Sequence, residues 1–234
     1  MPDLTLSTAE ARRLDAAAME RLQLPGLLLM EHAAMGVVRI ARAAAASHGC
    51  RRFVILAGSG GNGGDGWAAA RLLHLAGLTV SVHHLGLPAE DSDAHVNMLT
   101  TCAMGIPNEP LEPAELDLDA ETLVVDAMFG IGLRGPLEGP SADVARKLAD
   151  SPAWVVAVDV PSGLDAETGA SPGEVVRADV TATMIAPKRG MLVADATRSV
   201  GRIETVDIGI PRDFILKLVG LAETPPVGDT VDQD

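Results

Sequence analysis

The sequence predicts an α/β fold built on a mostly parallel sheet with helices on both faces, and three observations carry that prediction. Val54-Ile55-Leu56-Ala57 runs straight into residues 58–66, where six of nine positions are glycine, and a helical pattern follows from Trp67 to Leu73: strand, glycine loop, helix. From Arg52 onward strand-like and helix-like segments alternate, the rhythm of βαβ units. The strand candidates are near-continuous Val/Ala/Leu runs, as a sheet buried on both faces requires.

Each element has a local reason. Ser7-Thr8-Ala9-Glu10 reads as a capping box that opens a helix to about Leu22, and Leu24-Pro25-Gly26 breaks it. A second helix over 27–47, rich in Ala, Leu and Met, is ended by His48-Gly49. Predicted strands cover 53–57, 79–85, 122–126, 154–159, 180–185 and 203–208, and predicted helices cover 64–76, 91–104, 140–150 and 212–219. Residues 107–119, with five acids and three prolines, read as an irregular excursion with at most one helical turn. These elements form one domain over 1–222, followed by a polar, Pro-containing tail at 223–234 that is expected to be disordered. The two leading helices are expected to pack apart from the ligand edge of the sheet. Apolar residues concentrated in 27–35 and 37–40 predict a homodimer contact there.

Composition excludes several function classes. A chain of 234 residues, 47% hydrophobic, can bury a substantial core and is not a disordered segment. A net charge of −14 disfavours nonspecific binding to nucleic acid or anionic membranes. With no Tyr, three Phe and two Trp, stacking platforms for bases are scarce. No apolar run approaches a membrane span, and Met1-Pro2-Asp3 lacks the flank of a signal peptide. Cys50 and Cys102 lie far apart and are expected to be reduced, in keeping with a cytoplasmic protein. The six histidines show no zinc-ligand spacing.

The glycine loop carries the first functional signal. Backbone N–H groups free of neighbouring Cβ atoms, at a helix start, suit an anion such as phosphate. Gly63 and Gly64 are accordingly expected to hold positive φ or to touch the ligand. The loop lacks the G-K-[ST] of a Walker motif. It contains Gly58-x-Gly60-x-x-Gly63, but the next strand ends without an acid to hold a ribose until Glu90. Asn62 and Asp65 add polar oxygen that a plain pyrophosphate cradle would not use. The ligand is therefore not NAD in its ordinary redox pose.

Ligands of open parallel sheets bind beyond the carboxyl ends of the strands, and four strands here end in unusual sequence. Besides the glycine loop these are Asp126-Ala127-Met128-Phe129-Gly130-Ile131-Gly132-Leu133-Arg134-Gly135-Pro136, Asp159-Val160-Pro161-Ser162-Gly163-Leu164-Asp165 and Ala186-Pro187-Lys188-Arg189-Gly190. Asn62, Asp126 and Ser162 make a hard-oxygen set of low charge that suits a monovalent cation; the alternative is that Asp126 only caps the loop after it. Asp159, at a strand end, suits acid/base work. Lys188 and Arg189 read as phosphate counter-charges, or else as a solvated pair. Pro161-Ser162-Gly163 is not a nucleophile elbow, which sets aside a Ser–His hydrolase.

These four motifs, in this order, resemble the NAD(P)H-hydrate epimerase family, also called the YjeF N-terminal domain. Leu24-Pro25-Gly26 and Leu29-Met30-Glu31 are similar to that family too, and the resemblance spans about residues 7–215. It implies a three-layer αβα Rossmann-like sandwich. It implies an isomerase that interconverts R and S hydrated NADH or NADPH in cofactor repair, alongside a partner dehydratase that uses the S form. By resemblance the substrate contacts are Gly61, Asn62, Gly63, Gly64 and Asp65, then Gly130, Ile131, Gly132, Leu133, Arg134, Gly135 and Pro136, then Asp159, the nominated acid/base. K+ would be held by Asn62, Asp126 and Ser162. Two positions depart from the family pattern: Gly61 replaces the first of two loop asparagines, and Glu31-His32 replaces a Glu-Asn pair. Many bacterial relatives fuse this domain to a carboxyl-terminal dehydratase half; this sequence stops before any such half and is expected to be either a free-standing epimerase or a piece of a longer chain. The alternative is an inactive nucleotide-binding or assembly module of the same fold, like related domains of mRNA-decapping scaffolds. That reading predicts lost site residues and a basic surface.

Overall fold

The computed structural model describes residues 4–220; the tail expected at 223–234 lies outside the described residues. Two helices lead, α1 (Thr8–Arg21) and α2 (Gly26–His48). The Ser7 capping box forms as its sequence predicts: Glu10 N–H donates to Ser7 Oγ at 3.1 Å and Ser7 N–H donates to Glu10 Oε2 at 2.8 Å. Gly49 closes α2 at φ 75°, a left-handed cap that suits glycine.

The sheet follows as β1 (Arg52–Ala57), β2 (Thr79–His84), β3 (Asn108–Pro110), β4 (Thr122–Ala127), β5 (Trp154–Val158), β6 (Val180–Met184) and β7 (Arg202–Val206). Its order is β3-β2-β1-β4-β5-β6-β7, parallel throughout. The helices between and after the strands are α3 (Gly61–Leu75), α4 (Asp93–Ala103), α5 (Pro140–Ala149), α6 (Thr197–Val200) and α7 (Arg212–Leu218). Successive strand residues feed opposite layers. Phe53, Ile55 and Ala57 of β1 join the core that contains α2 and α3, whereas Val54 and Leu56 join the core that contains α5. The result is a three-layer sandwich.

Three expectations are corrected. The excursion at 107–119 holds a seventh strand, β3, beside its single 3-10 turn at Pro113–Glu115; its prolines and acids concealed a short edge strand, where a missing N–H is tolerated. Helix α3 starts at Gly61, three residues earlier than the glycine content suggests. The leading helices do not pack apart from the ligand edge. Leu6 bridges to Lys188, with Leu6 N–H donating to the Pro187 carbonyl at 2.9 Å, and this seats α1 over the strand ends. The apolar set of α2 mostly faces inward as well. Leu29, Ala33, Ala34, Val37, Val38 and Ile40 are buried, which leaves Leu27, Leu28 and Met35 exposed.

Candidate active site

The strand order places β1, β4, β5 and β6 side by side, so the four unusual strand ends share one edge. The switch point lies between β1 and β4, where connections leave in opposite directions and a crevice opens. A cleft of about 650 Å³ occupies it. Of the predicted contacts, Gly61, Asn62 and Asp65 line this cleft, as do Gly130, Ile131, Gly132 and Leu133, and Asp159. Arg134, Gly135 and Pro136 lie beyond the lining stretch. Gly63 and Gly64 do not line it either.

The glycines serve packing here. Neither Gly63 nor Gly64 has positive φ, contrary to expectation, because both lie inside α3. A Cβ on Gly63 would sit 1.8 Å from the Gly58 carbonyl oxygen, and one on Gly64 would sit 2.8 Å from Ala94 Cβ and 2.6 Å from Met30 Cε. A Cβ on Gly58 would fall 1.9 Å from the Met128 carbonyl oxygen, so the exits of β1 and β4 touch backbone to backbone. Gly61 is different: a Cβ there meets nothing within 4 Å, so the side chain missing at this position has room.

Beneath the cleft floor, Asp126 and Ser162 form a tight unit. Asp126 Oδ2 accepts from Ser162 N–H at 2.8 Å and Oδ1 accepts from Ser162 Oγ at 2.6 Å, while Ser162 Oγ accepts from Phe129 N–H at 2.9 Å. Asp126 is fully buried. Burial pushes its carboxyl up to about 6, against the pull of the Ser162 and Met128 hydrogen bonds. Asn62 lies against the next residue of the same loop: a Cβ on Gly130 would be 3.1 Å from Asn62 Oδ1. Asn62 Nδ2 is buried and has no hydrogen-bond partner among the described residues.

Asp159 sits at the exit of β5 with φ +65°, and Ile185, at the exit of the neighbouring β6, has φ +67°. Non-glycine residues in this region cost about 1–3 kcal/mol each and gather at functional sites. The three donors to the Asp159 side chain all reach Oδ1: Lys188 Nζ, Met184 N–H at 3.3 Å and Thr183 Oγ1 at 3.4 Å. Lys188, 1% exposed, also donates to Thr183 Oγ1 at 3.0 Å and to the Met184 carbonyl at 3.1 Å. The reading of Lys188 and Arg189 as phosphate counter-charges is therefore corrected. Lys188 is a buried ion-pair partner of Asp159. Arg189 is exposed and pairs with Glu10 at 3.0 Å and Glu167 at 3.9 Å.

Residues of the leading helices complete the wall, and sequence reasoning missed them. Ala11, Arg12, Asp15 and Met19 of α1 line the cleft, with Met30 and Ala33 of α2. The signal was available: Ala11, Asp15 and Met19 recur at i, i+4 and i+8, which puts a carboxyl on an otherwise apolar stripe. Arg12 reaches from α1 to donate to the Ile131 carbonyl at 2.8 Å. Burial, then the nearby Asp159 charge, pushes Asp15 up to about 6, opposed by Lys188. Burial, then Asp159 and Asp15, pushes Asp65 well above the usual carboxylate range, again opposed by Lys188.

Comparison with known proteins agrees with this geometry. The chain is 37% identical over 209 residues to the NAD(P)H-hydrate epimerase of Limosilactobacillus fermentum, covering 88% of this chain and 98% of that one. It is 41% identical over 203 residues to the bifunctional NAD(P)H-hydrate repair enzyme Nnr of Pyrobaculum aerophilum, covering 82% of this chain and 39% of that longer protein. The crystal structure of yeast ynu0 shares the fold, with a TM-score of 0.70 at 24% identity over 92% of this chain and 93% of that one. The family model described as YjeF-related protein N-terminus matches residues 26–190, which takes in all four strand-end motifs, and the chain belongs to that family.

Proposed function

We infer that this chain epimerises hydrated NADH and NADPH, interconverting the R and S forms at the hydrated ring carbon. The observation that carries the reading is Asp159, a strained strand-end carboxylate aimed into a cleft at the topological switch point. The named relatives match nearly the whole chain, which supports the same activity. The substrate carbon bears a hydroxyl next to a ring nitrogen. Protonating that hydroxyl lets the nitrogen lone pair expel water and leaves a planar cation, and water returning to the other face inverts the centre. A cation intermediate is disfavoured by free positive charge nearby. Lys188 is offset by Asp159, so the cleft keeps a neutral-to-acidic wall. Incubating the pure R epimer with the protein and resolving the products by chromatography is expected to give an R/S mixture well ahead of buffer alone. Conversion at the buffer rate overturns the reading.

The same reading includes a bound potassium ion. Asn62, Asp126 and Ser162 fit one. Asp126 is a buried carboxylate with no ion-pair partner among the described residues, a state a cation would complete, and Asn62 Oδ1 lies at the Gly130 stretch of the loop that follows Asp126; the unpartnered Asn62 Nδ2, a donor, calls for an acceptor such as a ligand oxygen. Both features are costly unless a cation or a ligand completes them. The ion would supply positive charge that fixes the strand-end loops. Its test needs no substrate. Potassium at 100-fold excess over Kd is expected to stabilise the wild type by about 2.7 kcal/mol relative to choline at equal ionic strength. Asp126→Ala is expected to lose that gain. A potassium response unchanged in Asp126→Ala removes Asp126 from the cation site.

Relatives named as bifunctional repair enzymes, of which this chain spans 39% and 41%, support a dehydratase as the functional partner. Among the described residues no helix is long and apolar enough to cross a membrane.

A further inference from the structure

Of the four carboxyls that line the cleft, three act on one another together with one ammonium: Asp15 from α1, Asp65 from α3, Asp159 from the exit of β5, and Lys188. Lys188 is committed to Asp159, Thr183 and Met184. Among the described residues Asp15 and Asp65 have neither a base partner nor a hydrogen bond to their side chains. The other charged groups lining the cleft do not change this. Arg12 is directed to the Ile131 carbonyl, and Asp93, at the start of α4, adds further negative charge. Unpaired, partly desolvated carboxyls beside a third carboxylate hold their protons to higher pH than free ones, and burial raises Asp15 to about 6, so a fraction of it still carries a proton near that pH. That proton faces the cavity in which the substrate hydroxyl must be protonated. Asp159 is held as the ion-pair partner of Lys188.

We propose that Asp15 is the proton donor of the epimerisation and Asp159 its proton-accepting partner. The proposal rests on the epimerase reading. The Asp15 carboxyl gives its proton to the leaving hydroxyl, the C–O bond breaks, the nitrogen lone pair forms the C=N bond, and water departs. A second water adds to the opposite face and passes a proton to Asp159. The inverted hydrate is left with Asp15 ionised and Asp159 protonated, and exchange with solvent resets the pair. Asp15 and Asp159 enter the cleft from different elements, a leading helix and a strand end, and lie close enough for the Asp159 charge to act on Asp15. Asp15 is preferred to Asp65 because a donor must release its proton near working pH. Burial leaves Asp15 near 6 and holds Asp65 much higher.

The test compares wild type, Asp15→Asn and Asp15→Glu. In the wild type kcat is expected to fall as pH rises through the Asp15 range, because the protonated form is the active one. Asp15→Asn is expected to lower kcat by about 100-fold or more, to leave KM within about threefold, and to lose this alkaline limb. Asp15→Glu is expected to restore part of the rate and the limb. A 13C-carboxyl NMR titration of the wild type is expected to show a resonance titrating near pH 6 that is absent from Asp15→Asn. If Asp15→Asn does not fold, the rate and pH profile of Asp15→Glu decide. A wild-type rate and an unchanged alkaline limb in Asp15→Asn overturn the proposal and leave the epimerase reading standing. A wild type that does not epimerise at all removes both.

Discussion

Asp159→Asn is expected to lower the epimerisation rate by about 10²–10⁴-fold, the usual worth of a positioned acid or base, while hydrated cofactor still binds. The substitution is isosteric, and Asn tolerates the left-handed backbone that Asp159 adopts at φ +65° better than most residues. Lys188 keeps Thr183 and Met184 as partners but loses its counter-charge while 1% exposed. Breaking a buried pair on one side costs about 3–5 kcal/mol. At the lower figure the melting temperature drops by about 6–12 °C in a chain of this size. Stability and catalysis can be separated by adding Lys188→Met, which removes the orphaned charge. The double variant is expected to regain most of the melting temperature and none of the rate. An Asp159→Asn protein that turns over at wild-type speed removes Asp159 from the chemistry and leaves Asp15 and Asp65 as the carboxyls of the cleft that could carry it.

Gly63→Ala is expected to damage the fold before it touches the ligand. The added methyl would sit 1.8 Å from the Gly58 carbonyl oxygen, and that neighbour is backbone with no rotamer to change. Gly58 in turn lies against the Met128 carbonyl, so relief would separate the exits of β1 and β4. Destabilisation beyond about 4 kcal/mol, the range of severe packing lesions, is expected. Gly61→Ala is the control, since a Cβ there meets nothing within 4 Å; it should melt within about 0.5 kcal/mol of wild type, as an open surface position does. Thermal melts of the two variants side by side decide the matter. A Gly63→Ala protein as stable as Gly61→Ala would contradict the close approach of α3 to the β1 exit.

These two variants mark where the sequence was legible and where it was not. The sheet edge was legible because parallel strands with apolar cores must end somewhere polar, and four of them ended in Gly, Pro, Asp or Ser. Asp126 with Ser162, and Asp159, could be picked out for that reason, and the structure joins the first pair directly. The role of the glycines was not legible. A glycine that permits positive φ and one that permits close packing look alike in sequence, and only the path of α3 separates them. At the strand ends positive φ occurs at Gly135 and Gly163, not in the first glycine loop, and also at Asp159 and Ile185, where the sequence does not mark it. Lys188 looked like a phosphate ligand because nothing in the sequence reveals that its ammonium is buried against Asp159. Asp15 was hidden because its importance depends on α1 folding back over the strand ends, which Leu6 secures through its bridge to Lys188. Strand β3 was masked by Pro110 within it and Pro107 just before it.

The central claim is that the Asp159 cleft inverts the hydrated ring carbon. The most direct measurement supplies pure R-hydrated NADH to this chain together with an S-specific dehydratase and follows the recovery of NADH absorbance. Full recovery is expected with wild type, at a rate proportional to its concentration, and recovery at the spontaneous rate is expected with Asp159→Asn. Spontaneous-rate recovery with the folded wild-type protein would contradict the account.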